Sequence, residues 1–501
     1  MYKIIKISGL ITMLLLLFSI SCNRDLIDLQ PSNETEASYF KKETEFTKAI
    51  VGIYAKLTDF YNYNARDGRS TLMQITFLPG DDITTTADDP FEHFAGLQAS
   101  NGKLGNYYKS SYELITRSNI VLDKIEAENG VYSTPNLKNY HKGEALFLRG
   151  LMFYNLWNYF GKPPIILKRL TSSEDWTNPE SQGTQMLDQA IADFTEAASL
   201  LPDAWPASDL GRATKNSANG MLGKSLVVRG SHTNTPADYT AALSAFNALS
   251  GLALVPEFDD NNSAFTENNA ESLFEFQASQ SPGDNIWLPN EFDAAIGTIS
   301  SFWGYYDNHW SLFGASPHIG TQKLADAFEA DDPRRDRTLD VASKAIRKYV
   351  THNQFAPNGA GSVNNPRILR YADVLLLKAE AVLQSGGSTA DAIGLINEVR
   401  KRARDMVSGG TVPADYTTAE TDKATIMDWI MNERLLELAG EGQRWIDLKR
   451  WHVAGYITLN NAFFSPANTQ AMSFQAPKHL LMPIPIDEID KNPNVTQNPD
   501  Y

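Results

Sequence analysis

The chain has 501 residues, 42% hydrophobic and 11% aromatic, with 44 basic against 60 acidic residues and a net charge of −16. That balance excludes a nucleic-acid-binding protein, which needs a positive surface, and gives no electrostatic reason to rest on anionic lipid. A single cysteine, Cys22, excludes an intrachain disulfide and a multi-cysteine metal site.

The first element is a secretory signal. Lys3 and Lys6 precede the apolar run Leu10 to Ile20, which ends in Ser21 and then Cys22. The run is 11 residues long, well short of the roughly 20 that span a bilayer as a helix. A cysteine placed directly after such a run is the acceptor of lipid. We therefore expect residues 1–21 to be removed and Cys22 to carry acyl chains, with burial contributing about 0.8 kcal/mol per CH₂. Residues 22–38, polar and carrying Pro31, read as a tether.

Helical spacing then dominates. Phe46, Ile50, Ile53, Tyr54 and Leu57 mark a helix over Glu43 to Phe60, and the pattern returns from Tyr107 to Glu128. Tyr140 to Phe160 is an apolar helix stopped by Gly161 and Pro163-Pro164, and Ser181 to Leu201 follows. Two pairs come next: Thr214 to Gly230 with Pro236 to Ser250, and Leu369 to Ser385 with Ser388 to Ala403, the latter split by Gly386-Gly387. Alanines 372, 379, 381 and 392 in the last pair are the small residues that tetratricopeptide-like hairpins place at helix crossings. The spacing predicts a mainly α fold with about four such hairpins and irregular intervals between them.

Two stretches lack helical period, 76–106 and 255–320. The second holds Trp287, Phe292, Phe302, Trp303, Tyr305, Tyr306, Trp310 and Phe313. Long loops without their own structure are functional or disordered, and disordered segments are poor in aromatics. This segment is therefore the leading candidate site.

Charged clusters offer chemistry but read more simply as structure. Glu433, Glu437 and Glu441 fall at helical spacing with Arg444, Asp447 and Arg450 following. A glycosidase needs two carboxyls about 5–5.5 or 6.5–9.5 Å apart, yet the flanking arginines make a helix-stabilising ion-pair network the expectation. Residues Asp331 to Arg337 read as a solvated or locally paired loop. Asp81-Asp82 and Asp88-Asp89 match no EF-hand spacing, and no HExxH, nucleophile-elbow or phosphate-loop motif occurs, so neither metal nor cofactor is expected.

Six segments stand out in order along the chain: EALFLRGLMFYNLWNYFGKPPIIL (Glu144 to Leu167), ESLFEFQ (Glu271 to Gln277) and KLADAFEADDPRRDRTL (Lys323 to Leu339), then RYADVLLLKAEAV (Arg370 to Val382), ERLLELAGEGQRWIDLKRW (Glu433 to Trp451) and LMPIPIDEIDKNPNVTQNPDY (Leu481 to Tyr501). On these the chain resembles the SusD/RagB family of outer-membrane nutrient-binding lipoproteins. The resemblance implies a SusD-like helical scaffold carrying loop-rich insertions, divided as an N-terminal region 39–254 and a C-terminal region 255–501 within one body. It also implies an outer-membrane protein facing the cell exterior, without catalysis. Such a protein captures an oligosaccharide, or in the RagB branch a peptide, and delivers it to a SusC-like TonB-dependent transporter.

The aromatic segment suits that role. A sugar ring presents C–H groups to the negative face of Trp or Tyr, and its edge hydroxyls are met by side-chain amides and carboxylates. Trp287, Trp303, Tyr305, Tyr306 and Trp310 supply the rings, and Asn285 and Asn308 the edge contacts. Phe91, from the 81–106 stretch, is expected to add a further ring, with Phe94 near it.

Overall fold

The computed structural model describes residues 39–61, 75–85, 87–172, 177–278, 318–348, 364–465 and 471–501. The signal, Cys22 and the tether lie outside them, as do Asn285, Trp287, Trp303, Tyr305, Tyr306, Asn308 and Trp310. Among the described residues no helix is long and apolar enough to cross a membrane.

The long helices are α1 (Glu43–Tyr54), α2 (Gly102–Ala127), α3 (Leu137–Phe160), α4 (Gln185–Leu200), α5 (Lys215–Thr233), α6 (Pro236–Asn247), α7 (Tyr371–Gln384), α8 (Thr389–Asp405), α9 (Lys423–Leu438) and α10 (Arg444–Val453). Their starts follow local chemistry. Asn101 caps α2 by accepting from the Lys103 N–H at 2.9 Å, so this helix begins five residues before its aromatic pattern. Thr214 and Ser217 cap α5 reciprocally, and Ser388 caps α8.

From Gly143 onward α3 is buried almost all round, which makes it the central helix. It packs on α2 and α4, α4 on α5, α5 on α6, and α7 on α8. Small residues allow these approaches. A Cβ on Gly150 of α3 would lie 3.1 Å from both Asp193 and Phe194 of α4. One on Gly223 of α5 would lie 2.3 Å from the Phe246 ring of α6.

Among the described residues four short strands form two antiparallel pairs. β1 (Ile83–Thr85) pairs with β3 (His318–Gly320), and β2 (Ser272–Glu275) with β4 (Arg367–Arg370). The helix predicted from Leu369 therefore starts at Tyr371, because the preceding residues extend against β2. The stretch Glu433 to Arg450 is likewise two helices: Gly440 and Gly442, at φ of +73° and +76°, turn the chain between α9 and α10.

The last segment straps the body. Met482 N–H donates to Tyr159 O at 2.7 Å, and Asn498 Nδ2 to Phe160 O at 3.0 Å. Ile486 N–H donates to Ala99 O at 3.0 Å. Gly161, at φ +78°, brings the Gly-x-Pro-Pro turn so near that a Cβ would sit 2.6 Å from Leu481.

Candidate ligand-binding site

The aromatic segment itself is outside the described residues, but both of its ends are described. On the entry side, the Ala278 N–H donates to Asn365 Oδ1 at 2.6 Å, and Asn365 Nδ2 donates to Glu275 of β2 at 2.9 Å. The β2–β4 pair is pressed onto α5 at Gly220, where a Cβ would meet Leu273 and Leu369 at 2.5 and 2.6 Å.

On the exit side, β3 registers Ile83 with Gly320 and Thr85 with His318. Thr321 then donates its hydroxyl to Asp81 O at 2.8 Å and its N–H to Asp82 O at 2.9 Å. Burial, with Lys103 adding to it, pushes the His318 imidazole down to about 4, so it is neutral at neutral pH.

A buried charge network joins the two ends. Arg370, the last residue of β4, reaches Glu271 at 2.7 Å, Glu437 at 2.7 Å and Glu441 at 2.8 Å. Arg334 bonds Asp332 at 2.7 Å, Glu433 at 2.5 Å and Glu437 at 3.0 Å. Arg402 pairs with Glu271 and Glu437, Arg400 with Glu433, and Lys348 with Glu441 at 2.7 Å. The five cations face the buried carboxylates Glu271, Asp332, Glu433, Glu437 and Glu441, and Arg400 also reaches the exposed Glu329 at 3.3 Å. Beyond it, Gly440 N–H donates to Asp82 Oδ2 at 3.0 Å, which returns the chain of contacts to β1.

Burial raises the cost of charging Glu437, but Arg402, Arg370 and Arg334 outweigh it and hold its carboxyl well below the usual range. Asp81 behaves alike: burial opposes ionisation, and Arg444 and Lys323 bring it down to about 2. Asp82 has no ion pair among the described residues, and burial, with Asp81 adding to it, pushes it up to about 6 despite the Gly440 N–H and the more distant Arg444.

This arrangement corrects two expectations. Asp447 does pair within the stretch, with Arg450 at 2.9 Å inside α10 and with Arg434 at 2.8 Å, but Glu433, Glu437 and Glu441 pair with other segments, because α9 is buried on the side that carries Glu433 and Glu437. The Asp331–Arg337 stretch is only partly a solvated loop, because Arg334 is 0% exposed and Asp332 3%. Arg335 and Asp336 pair locally at 2.9 Å as anticipated.

Phe91 is 0% exposed and Phe94 2%. Phe91 lies in the core within the short helix Pro90–His93. The Phe94 ring packs against Trp445, Phe464, Phe474 and His479. In this structure both rings fill the interior rather than presenting a face. Asp88 contacts His93 at 2.6 Å and Asp89 caps the Pro90 helix, so these carboxylates are engaged in local structure. Among the described residues no group of three His, Cys, Asp or Glu side chains gathers as a metal site.

The sequence carried two signals of this frame that helical periodicity does not weigh. One is an arginine directly before an apolar helix, Arg370. The other is a threonine directly after a strand, Thr321.

Comparison with known proteins covers most of the chain. Residues 330–501 match the family model described as the SusD family, and residues 25–226 match one described as starch-binding associating with outer membrane. The SusD-like protein P2 of Formosa agariphila is 24% identical over 98% of this chain and 99% of its own length. The crystal structure of a SusD superfamily protein from Bacteroides vulgatus superposes with a TM-score of 0.71 at 25% identity, covering 92% of this chain and 100% of that one. A laminarin binding SusD-like protein gives a TM-score of 0.71 at 23% identity, over 92% and 100%.

Proposed function

Since the chain belongs to the SusD/RagB family, whose members bind without catalysis, we propose that it captures an oligosaccharide at the outer membrane and passes it to a SusC-like TonB-dependent transporter. In this reading Cys22 carries the lipid and the body faces the cell exterior. The α3–α4, α5–α6 and α7–α8 pairs, with α1 and α2, act as tetratricopeptide-like hairpins that form the rigid scaffold.

The observation that carries the reading is the frame around residues 279–317. Contacts among buried groups tie the two ends of an aromatic-rich insertion to α5, α9 and the α9–α10 turn. Such a mounting suits a segment that must meet ligand in one geometry, since ordering a loop at the moment of binding costs affinity. Within it, Trp287, Trp303, Tyr305, Tyr306 and Trp310 stack on sugar faces while Asn285 and Asn308 meet hydroxyls. The laminarin binding relative adds support for a carbohydrate.

The test is binding of the mature lipoprotein, in detergent, to a panel of neutral oligosaccharides beside a panel of unstructured peptides. The proposal expects an oligosaccharide among the binders. Binding confined to peptides would transfer the same lid role to a peptide ligand.

A further inference from the structure

Asp81 and Asp82, adjacent in sequence and both buried, are served very differently. Asp81 bonds Arg444 through both carboxylate oxygens, at 2.5 and 3.1 Å, and Lys323 at 2.6 Å. Asp82 is 1% exposed and accepts from the Gly440 N–H at Oδ2. Its Oδ1 has no hydrogen-bond partner among the described residues. A Cβ on Gly80 would lie 2.6 Å from that Oδ1 and 3.0 Å from the Phe77 carbonyl oxygen. An acceptor therefore stands on the Oδ1 side, where an ionised oxygen needs a donor.

The charges around Asp82 are committed to other groups. Arg444 of α10 and Lys323 of the helix Gln322–Ala327 go to Asp81. In the α9–α10 turn, Glu441 is held by Arg370 and Lys348, and Lys348 also donates to Ala439 O at 2.9 Å. Beside β1, Glu92 accepts the Thr84 hydroxyl and, at 2.9 Å, the Thr85 N–H. His318, opposite Thr85 on β3, is neutral above about pH 4.

A carboxylate withdrawn from water without a cation is costly, and proton uptake removes that cost. The backbone at this point carries the junction with β3. Asp82 O accepts the Thr321 N–H, and Asp81 O accepts the Thr321 hydroxyl. Thr321 in turn caps Gln322–Ala327 by accepting from the Leu324 N–H at 3.0 Å. An ionised Asp82 regains water most directly by parting this junction from Gly440 or from Thr321.

We propose that Asp82 is a proton-operated positioning residue: with its carboxyl protonated the junction of β1, Thr321 and the α9–α10 turn stays closed, and with it ionised the junction opens more often. Under the proposed function, affinity for oligosaccharide falls as pH rises, because β3 follows directly on residues 279–317. That consequence rests on the functional reading; the switch itself does not.

Asp82 titrates at about 6 in the closed junction, against an ordinary value of 3.8 once solvated. The closed form therefore holds the extra proton between those values. Its advantage is complete below the lower one and is lost as pH rises through the upper. The opening constant should rise about tenfold from pH 5 to pH 8.

The test is amide hydrogen exchange of the mature lipoprotein at pH 5 and pH 8, read by mass spectrometry with times scaled for the intrinsic exchange rate. In wild type, peptides containing Thr321 and Gly440 should lose about tenfold in protection at pH 8, and peptides from α3 should change less. Asp82→Asn, neutral at every pH, should keep the protection at both. Glu92→Gln should leave the wild-type fall in place. Equal protection at the two pH values in wild type overturns the proposal, as does an equal fall in α3. A fall that persists in Asp82→Asn, or vanishes in Glu92→Gln, overturns it too. If Asp82→Asn does not fold, wild type and Glu92→Gln decide the question by the same criteria. Absence of oligosaccharide binding at both pH values, with the exchange result intact, overturns the functional reading alone.

Discussion

Glu437→Gln is the most informative single change. Glu437 is 0% exposed and accepts from Arg370 at 2.7 Å, from Arg334 at 3.0 Å and from Arg402. Glutamine keeps the shape but removes the charge that three guanidiniums face. Breaking a buried pair from one side costs about 3–5 kcal/mol, because the opposing charge stays buried without compensation. Unfolding entropy is about 2.1 cal/mol/K per residue, so over the roughly 400 described residues each kcal/mol lowers Tm by about 1.2 °C. The expected fall is therefore about 4–6 °C at neutral pH.

The pH dependence supplies an independent check. The folded carboxyl lies below its ordinary value of 4.5, so its contribution is complete above that pH and fades as pH falls below it. The gap between variant and wild type should narrow under acid conditions. Differential scanning calorimetry across pH 3–8 measures both effects. A variant within about 1 °C of wild type at pH 7 would refute the claim that Glu437 holds the frame together.

Two further changes probe the scaffold. Gly223→Ala places a Cβ 2.3 Å from the Phe246 ring, so overpacking of about 1–3 kcal/mol should exceed the gain in helix propensity of up to ~1 kcal/mol. A net fall in urea midpoint, partly recovered by adding Phe246→Leu, is expected. Lys449 is buried with its ammonium on Asn158 O, and desolvation pulls its pKa from 10.5 down to about 7. Between those values the unfolded chain binds the proton that the folded chain has shed, so stability rises with pH across that window. Lys449→Met should accordingly raise Tm by roughly 2 °C near pH 6.5 and by less near pH 9.5; a larger gain at the higher pH would contradict the sign.

Much of the scaffold is legible in the sequence because its helices carry long apolar periods and local stop signals. Gly161 and Ser388 each act within a turn of where they sit, so the boundaries they set follow from neighbouring residues, whereas the Asn101 cap starts α2 five residues ahead of the expected Tyr107. The frame around the aromatic segment is another matter. Arg370 meets Glu437 and Asp82 meets Gly440 across separations of 67 and 358 residues, and no local pattern encodes such a pairing. For the same reason the carboxylates of α9 look like a helix-surface network until the arginines of β4 and α8 come into view. Phe91 shows the converse problem. A phenylalanine in a polar loop suits a binding face and a core equally well, and only packing separates the two.

The central claim is capture of an oligosaccharide by the aromatic segment. Titration calorimetry of wild type against Trp303→Ala, with the best-bound glycan from the neutral panel and with Tm recorded for both, tests it most directly. Loss of a stacked indole at a binding hot spot costs about 2 kcal/mol, or ~30-fold in Kd. The account predicts that loss with Tm unchanged. Equal affinity in Trp303→Ala, and then in Trp287→Ala, Tyr305→Ala, Tyr306→Ala and Trp310→Ala, would contradict it.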